Sequence, residues 1–246
     1  MSETLTSNQI LNMKNSKYFI IAAFVVLFLS SCKKDNYDAP AADFTGRIVY
    51  RGEAIPVEFD QVPFELWQSG FGNNSAIRVS VAQDGSFSAK LFDGNYRLVF
   101  SENQGPFLWK KNSAGRQDSI AVSISGSKVM DIEVTPYYMI RTPVFAVAAG
   151  KVNASCKLEK IITDVANGKE IQEVRLFINK TQFVDGNNNI ATQTLSGAAI
   201  SDLNNLNMSV AIPAIVPTQN YVFARIAVKI AGVDDLLFTQ VNKLSF

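Results

Sequence analysis

Short segments in which apolar and polar residues alternate, separated by tight turns, recur along most of this 246-residue chain. In AIRVSVAQ, residues 76–83, every second residue from Ile77 to Val81 is apolar. A period of two places those side chains on one face of an extended strand. An Asp-Gly pair follows at residues 84–85, which is typical of the turn that closes a β-hairpin. This pattern predicts antiparallel β-structure with one face of each sheet buried.

The alternating segments fall into two groups, which predict two consecutive sandwich domains. The first group spans residues 44–136 and ends at a proline, and the second spans residues 137–246. No segment in either group carries a sustained helical stripe. The expected fold class is therefore all-β, with two consecutive antiparallel β-sandwich domains that follow an N-terminal signal helix.

Residues 1–31 are predicted to be a secretory signal peptide. Residues 18–29 form an uncharged apolar run that follows Lys14 and Lys17. This run is shorter than the roughly 20 apolar residues that a membrane-spanning helix needs, so a cleaved signal is favoured over a permanent span. Met13 begins a more typical signal than the residues before it, so we expect translation to start there.

The end of the signal resembles the lipobox of bacterial lipoproteins, an aliphatic residue and two small residues followed by cysteine. Here those residues are Leu29, Ser30, Ser31 and Cys32. The resemblance implies cleavage before Cys32 and acylation of that residue, which would hold the chain in a membrane. Lys33 and Lys34 follow the cysteine in place of the aspartate that retains many such lipoproteins at an inner membrane, so we expect the chain to lie in the outer membrane at the cell surface. The polar residues 32–43 are then a lipidated tether. The alternative is an ordinary signal peptide that happens to end at a cysteine.

Composition argues against several classes of function. The chain has no histidine, which excludes Ser-His-Asp and Cys-His catalysis and zinc sites that use histidine. Its net charge of +1 offers no basic excess for nucleic acid. We expect no catalytic residue, no metal and no cofactor. If Cys32 is lipidated, Cys156 has no partner for a disulfide, and it is expected to be a buried, small apolar residue.

Two short motifs resemble functional sites but have simpler interpretations. The segment that starts at Asp185 begins like a calcium-binding loop, but Ile190 stands where that loop needs glycine and Ser196 where it needs glutamate. A hairpin turn is the preferred interpretation. Ser119, in the tripeptide DSI, resembles a bacterial O-glycosylation acceptor, although such a tripeptide also occurs by chance.

Several segments of the mature chain are similar to one known family. They are CKKDNYDAP, FTGRIVY, QDGSF, LFDGNYRLVF, DIEVTPYYMI and YVFARIAVKI. Together they resemble a family of Bacteroidetes lipoproteins of unassigned function, found beside SusC/SusD-like glycan-uptake systems. The first half also resembles a carboxypeptidase-regulatory-like, or transthyretin-like, sandwich, and the second half a fibronectin-like or immunoglobulin-like sandwich. The resemblance implies SusC/SusD-like proteins and polysaccharide as partners.

Exposed aromatic residues are the candidates for binding a sugar. In VPFELWQ, alternation places Phe64 and Leu66 on one face and Trp67 on the other, outside the first sandwich. A flat indole suits the apolar face of a sugar ring. The loop that follows Trp67 and the Gly/Pro loop that contains Trp109 could meet and form a platform for a glycan. Alternatively, both tryptophans could pack against a neighbouring domain or loop. The candidate ligand-binding residues are Trp67, Phe71, Asn73, Asn74, Phe107 and Trp109.

These features predict a non-catalytic outer-membrane lipoprotein, accessory to polysaccharide capture and import and able to bind glycan. The alternative is a structural or scaffolding lipoprotein that binds a protein partner without contacting glycan.

Overall fold

The structure, a computed structural model, describes residues 38–70 and 75–246, and it is built almost entirely of β-strands. Within these residues the single helical segment is a 3-10 turn at Gly197–Ala199, and no helix is long and apolar enough to cross a membrane. The all-β prediction is confirmed. The predictions for the signal peptide and its start, the lipobox, Cys32 and the loop residues Phe71, Asn73 and Asn74 lie outside the described residues.

The first domain holds the strands that precede residue 137, arranged around a layer of phenylalanines. They are β1 (Ala42–Tyr50), β2 (Glu53–Ala54), β3 (Phe64–Gln68), β4 (Ile77–Val79), β5 (Ser86–Leu91), β6 (Gly94–Phe100), β7 (Phe107–Leu108), β8 (Ile120–Ile124), β9 (Lys128–Val129), β10 (Ile132–Glu133) and β11 (Thr135–Pro136). One sheet is centred on β1, and the second has the order β4-β3-β6-β8. Phe44 from the first sheet meets Phe64 from the second, and both rings contact Phe87.

The β1 sheet departs from a purely antiparallel pattern. Strands β2 and β5 pair with β1 in antiparallel fashion, whereas the short strands β9 and β10 run parallel to it. Gly46 allows the close approach that this arrangement requires, because a Cβ there would lie 2.0 Å from the carbonyl oxygen of Met130. The return of the chain beside β1 therefore depends on a residue without a side chain.

The second domain holds the remaining strands in two further sheets. They are β12 (Tyr138–Ala148), β13 (Lys151–Lys160), β14 (Ile171–Asn179), β15 (Ala191–Ser196), β16 (Leu206–Ala211), β17 (Tyr221–Ile230), β18 (Leu237–Phe238) and β19 (Asn242–Ser245). One sheet has the order β12-β13-β16, and the other has the order β15-β14-β17-β18, with β19 also paired to β17. Cys156 on β13 is buried, as predicted, and burial raises the pKa of its thiol to about 11.

The two domains share one continuous hydrophobic core, within a compact unit that extends from Pro40 to Phe246. Strand β17 lies where the two domains meet. Every second residue from Val222 to Ile230 packs in the shared core, while Arg225 on the other face of the strand is also fully buried. The first domain covers that second face, since the guanidinium of Arg225 donates hydrogen bonds to the carbonyl oxygens of Val57 and Gln83.

Candidate functional site

Trp67 lies on the outer face of β3, where alternation predicts it. Phe64 and Leu66 of the same strand are buried, whereas 40% of the Trp67 surface is exposed. The indole nitrogen Nε1 donates a hydrogen bond to Oε2 of Glu65 at 2.9 Å. This bond limits rotation of the ring, so one face of the indole is held at the surface in a defined orientation.

The cross-strand neighbours of Trp67 form an exposed row on the outer face of the sheet. Trp67 is paired across the sheet with Arg97 on β6, and Arg97 is paired with Ala121 on β8. Arg97 and Ala121 are exposed. In this row the indole of Trp67 offers an apolar surface and the guanidinium of Arg97 offers hydrogen-bond donors. The small methyl group of Ala121 lies at the end of the row. Glu65, Trp67, Arg97 and Ala121 are called the Trp67 face below.

Trp109 and Phe107 do not join Trp67 in an exposed platform, and their prediction as platform residues is corrected by the structure. Only 6% of the Trp109 surface is exposed, and Phe107 is also buried. Both rings pack edge-to-face against Phe100, and Nε1 of Trp109 donates to the carbonyl oxygen of Asp118 at 2.8 Å. The pairing of β7 with β11 turns the segment inward, so the alternative of internal packing holds.

A small cavity of about 130 Å³ lies beside Phe107 and Trp109, between Tyr137 and Lys169. Ligand sites for small molecules are commonly about 300–1,000 Å³. The space therefore suits ordered water or a small substituent better than a sugar residue.

The loop that starts at Asp185 is a turn between β14 and β15, as predicted. Oδ1 of Asp185 accepts hydrogen bonds from the backbone N–H groups of Asn187 and Asn188 at 2.9 and 2.7 Å. The buried carboxylate thus closes its own loop. Across residues 38–70 and 75–246, no group of three or more Asp, Glu or Cys side chains is arranged to hold a metal ion.

Ser119 precedes β8 and is half-buried. Its backbone N–H donates to Oδ1 of Asp118, and Nη1 of Arg97 lies 3.4 Å from its hydroxyl oxygen. O-glycosylation at this hydroxyl stays a prediction.

A groove with a volume of about 450 Å³ lies at the junction of the two domains and was not predicted from the sequence. Residues from both domains line it, and those that define the seam groove here are Phe59, Gln182, Phe183, Phe223, Gln240 and Lys243. Phe59 and Phe183 lie in loops, where no strand period predicts burial or exposure. The only sequence signal was an aromatic residue in an otherwise polar loop, and nothing in the sequence indicated that the two loops meet.

The described residues thus form two joined all-β sandwiches, with an exposed indole on one sheet face and an aromatic groove at the junction. Family models described as the DUF3823 protein of unknown function N-terminal domain and the DUF3823_C domain of unknown function match residues 42–135 and 138–243. The chain belongs to the DUF3823 family.

Solved structures agree with this assignment. A DUF3823 protein from Parabacteroides merdae is 32% identical, with 85% of this chain and all of that one aligned and a TM-score of 0.73. A family member from Bacteroides ovatus is 29% identical, with 83% and 98% aligned and a TM-score of 0.72. A Bacteroides uniformis protein, provisionally described as carbohydrate-binding, shares the fold at 16% identity, with 84% and 100% aligned and a TM-score of 0.66. A search of curated proteins found no match.

Proposed function

We propose that this protein is a non-catalytic outer-membrane lipoprotein, displayed at the cell surface, that binds glycan as an accessory to a SusC/SusD-like import complex. The exposed indole of Trp67, held by Glu65 on an open sheet face, is the observation that carries the glycan-binding clause. The provisional description of the Bacteroides uniformis protein supports the same class of ligand. The lipobox at Leu29 to Cys32 supports the lipid anchor.

The Trp67 face matches the amphipathic surface of a sugar. A pyranose presents C–H groups on one face, which pack against an indole, and hydroxyl groups at its rim. Arg97 beside the ring supplies N–H donors for those hydroxyls, and Glu65 supplies a carboxylate acceptor. Because the Glu65 hydrogen bond already orients the indole, binding would cost less side-chain entropy than it would with a free ring.

Replacing Trp67 with alanine is expected to weaken glycan binding by about tenfold or more, since a central aromatic anchor is lost. Native affinity gels with amylopectin, xyloglucan, arabinoxylan, polygalacturonate and mucin measure retardation. Fluorescence titration adds a direct signal, because the second tryptophan, Trp109, is buried and a ligand-induced change in emission reports Trp67. Val129→Ala, which truncates another exposed apolar side chain, is the matched control.

Equal retardation of the wild type and Trp67→Ala would show that the Trp67 face is not the site. If no polysaccharide retards the wild-type protein, while a SusC/SusD-like complex still co-purifies with both the wild type and Trp67→Ala, the result would favour a scaffolding role over glycan binding.

Replacing Cys32 with serine is expected to release the protein from the membrane fraction of its native host and to abolish incorporation of labelled fatty acid, because the acylated thiol is removed. Cys156→Ser is the matched control, since the Cys156 thiol is buried and its raised pKa of about 11 keeps it protonated. Fractionation with acyl labelling measures both variants. Membrane retention of Cys32→Ser would contradict the lipid anchor.

A further inference from the structure

We propose that the seam groove is a second glycan-binding site, one to which both domains contribute. The inference rests on the proposed function for its class of ligand and adds a location that is separate from the Trp67 face. It stands on three features of the groove: exposed aromatic rings, side-chain amides with no internal partner, and a rigid support beneath them.

The aromatic rings of the groove are exposed although they lie beside a large core. Phe59 from the first domain and Phe183 from the second are 48% and 43% exposed, and their ring centroids are 5.8 Å apart in an edge-to-face arrangement. Phe223, on the wall formed by β17, adds a third ring. Exposed aromatic clusters on a concave surface are typical of binding sites rather than of ordinary surface.

Polar groups that can bind sugar hydroxyls surround these rings. Within the described residues, the side-chain amides of Gln182 and Gln240 form no hydrogen bond, so both keep donors and acceptors for a ligand. The ammonium of Lys243 forms no ion pair in the same part of the chain and rests 4.1 Å from the centroid of the Tyr221 ring. Asp84 also lines the groove, and its Oδ1 accepts two hydrogen bonds from Ser86.

The composition of the groove favours a glycan over an apolar peptide. A groove for an apolar peptide is lined by aliphatic side chains that fill pockets, whereas the aliphatic residues here are only Ala82 and Val241. Rings with amides, one carboxylate and one ammonium match a ligand that is apolar on its ring faces and hydroxylated at its edges.

Arg225 lies on β17, which carries Phe223, and it is hydrogen-bonded to the four other chain segments that line the groove. Its guanidinium donates to the carbonyl oxygens of Val57, Gln83, Val184 and Thr239. Each acceptor lies within two positions of a groove residue: Phe59, Asp84, Phe183 and Gln240 respectively. The amide of Gln83 is itself engaged, since it donates to the carbonyl oxygen of Gln182 and accepts from the backbone N–H of Val184. The groove is therefore preorganised, which reduces the entropy that a ligand would have to overcome.

The test uses the full mature chain and the same five polysaccharides in native affinity gels, followed by calorimetry with oligosaccharides from whichever is retarded. Phe59→Ala with Phe183→Ala is expected to lower the association constant by roughly tenfold or more, because two central anchors are removed. Val165→Ala, a truncation of a fully exposed apolar side chain outside the groove, is expected to change nothing. Gln182→Ala with Gln240→Ala gives a second variant, made only at exposed positions, if the first does not fold.

The outcomes separate the two proposals. Loss of binding in the groove variants supports the seam groove. Normal binding in the groove variants, with loss in Trp67→Ala, overturns the seam groove and leaves the proposed function standing. A wild-type chain that no polysaccharide retards overturns both. Binding of a protein that depends on Phe59 and Phe183, without any glycan, overturns the assigned class of ligand.

Discussion

Replacing Arg225 with methionine is expected to lower the free energy of unfolding by about 3–5 kcal/mol, one of the two largest effects anticipated for a single substitution here. The side chain is fully buried, and its guanidinium serves backbone carbonyls from both domains and lies 4.1 Å over the centroid of the Phe238 ring. A methionine could fill the space, but it would remove the donor to the carbonyl oxygens of Val57, Val184 and Thr239. Urea unfolding and thermal melting measure the loss.

Charge adds to the expected cost. Burial lowers the pKa of Arg225 to about 9, and the guanidinium is still protonated at neutral pH, where Asp185, Glu58 and Asp84 favour its charged form. Glu58 is buried too, and desolvation together with Asp185 raises the pKa of its carboxyl group while Arg225 opposes that rise. Without Arg225, Glu58 would keep Arg175 but lose the larger of the two positive charges that oppose the rise in its pKa.

Two comparisons give the Arg225 prediction its controls. Arg97→Met removes an arginine that is exposed and should change stability by no more than about 0.5 kcal/mol. Arg225→Lys retains a positive charge but not the planar set of donors, so it should fall between the wild type and Arg225→Met. Melting of Arg225→Met at the wild-type temperature would contradict the view that this residue joins the domains.

The part of the fold that local alternation governs could be predicted from the sequence. Phe64 and Leu66 point inward and Trp67 outward because successive side chains of a strand alternate between its faces. The burial of Arg225 could not be predicted from alternation. Alternation places it on the opposite face of β17 from Val222, but only the packing of a second domain decides that this face is buried.

The two candidate binding surfaces differ in the same way. The Trp67 face is built from cross-strand neighbours within one sheet, so its central residue could be identified from a strand period. The seam groove joins Phe59 to Phe183, more than a hundred residues later, through loops that have no period. The prediction that Trp109 is exposed was wrong for a related reason. The Gly-Pro pair before it is typical of a loop, but the pairing of β7 with β11 places the segment against the core.

Replacing Trp109 with alanine is expected to lower the free energy of unfolding by about 3–5 kcal/mol, as for other large aromatic side chains truncated in a core. The change leaves a cavity against Phe100 and removes the donor that satisfies the carbonyl oxygen of Asp118. Trp67→Ala, at an exposed position, should alter stability by no more than about 0.5 kcal/mol. The two substitutions should therefore have different effects: Trp109→Ala should lower stability, and Trp67→Ala should lower glycan affinity.

The separation can be measured in one set of proteins. Urea unfolding gives the stability of Trp109→Ala and Trp67→Ala, and affinity gels run well below the melting temperature give their binding. Trp109→Ala should be retarded like the wild type while it unfolds at lower urea, because its indole contributes to the core and not to the Trp67 face. A Trp109→Ala variant that is fully stable yet loses retardation would return Trp109 to the binding surface and contradict its placement against Phe100.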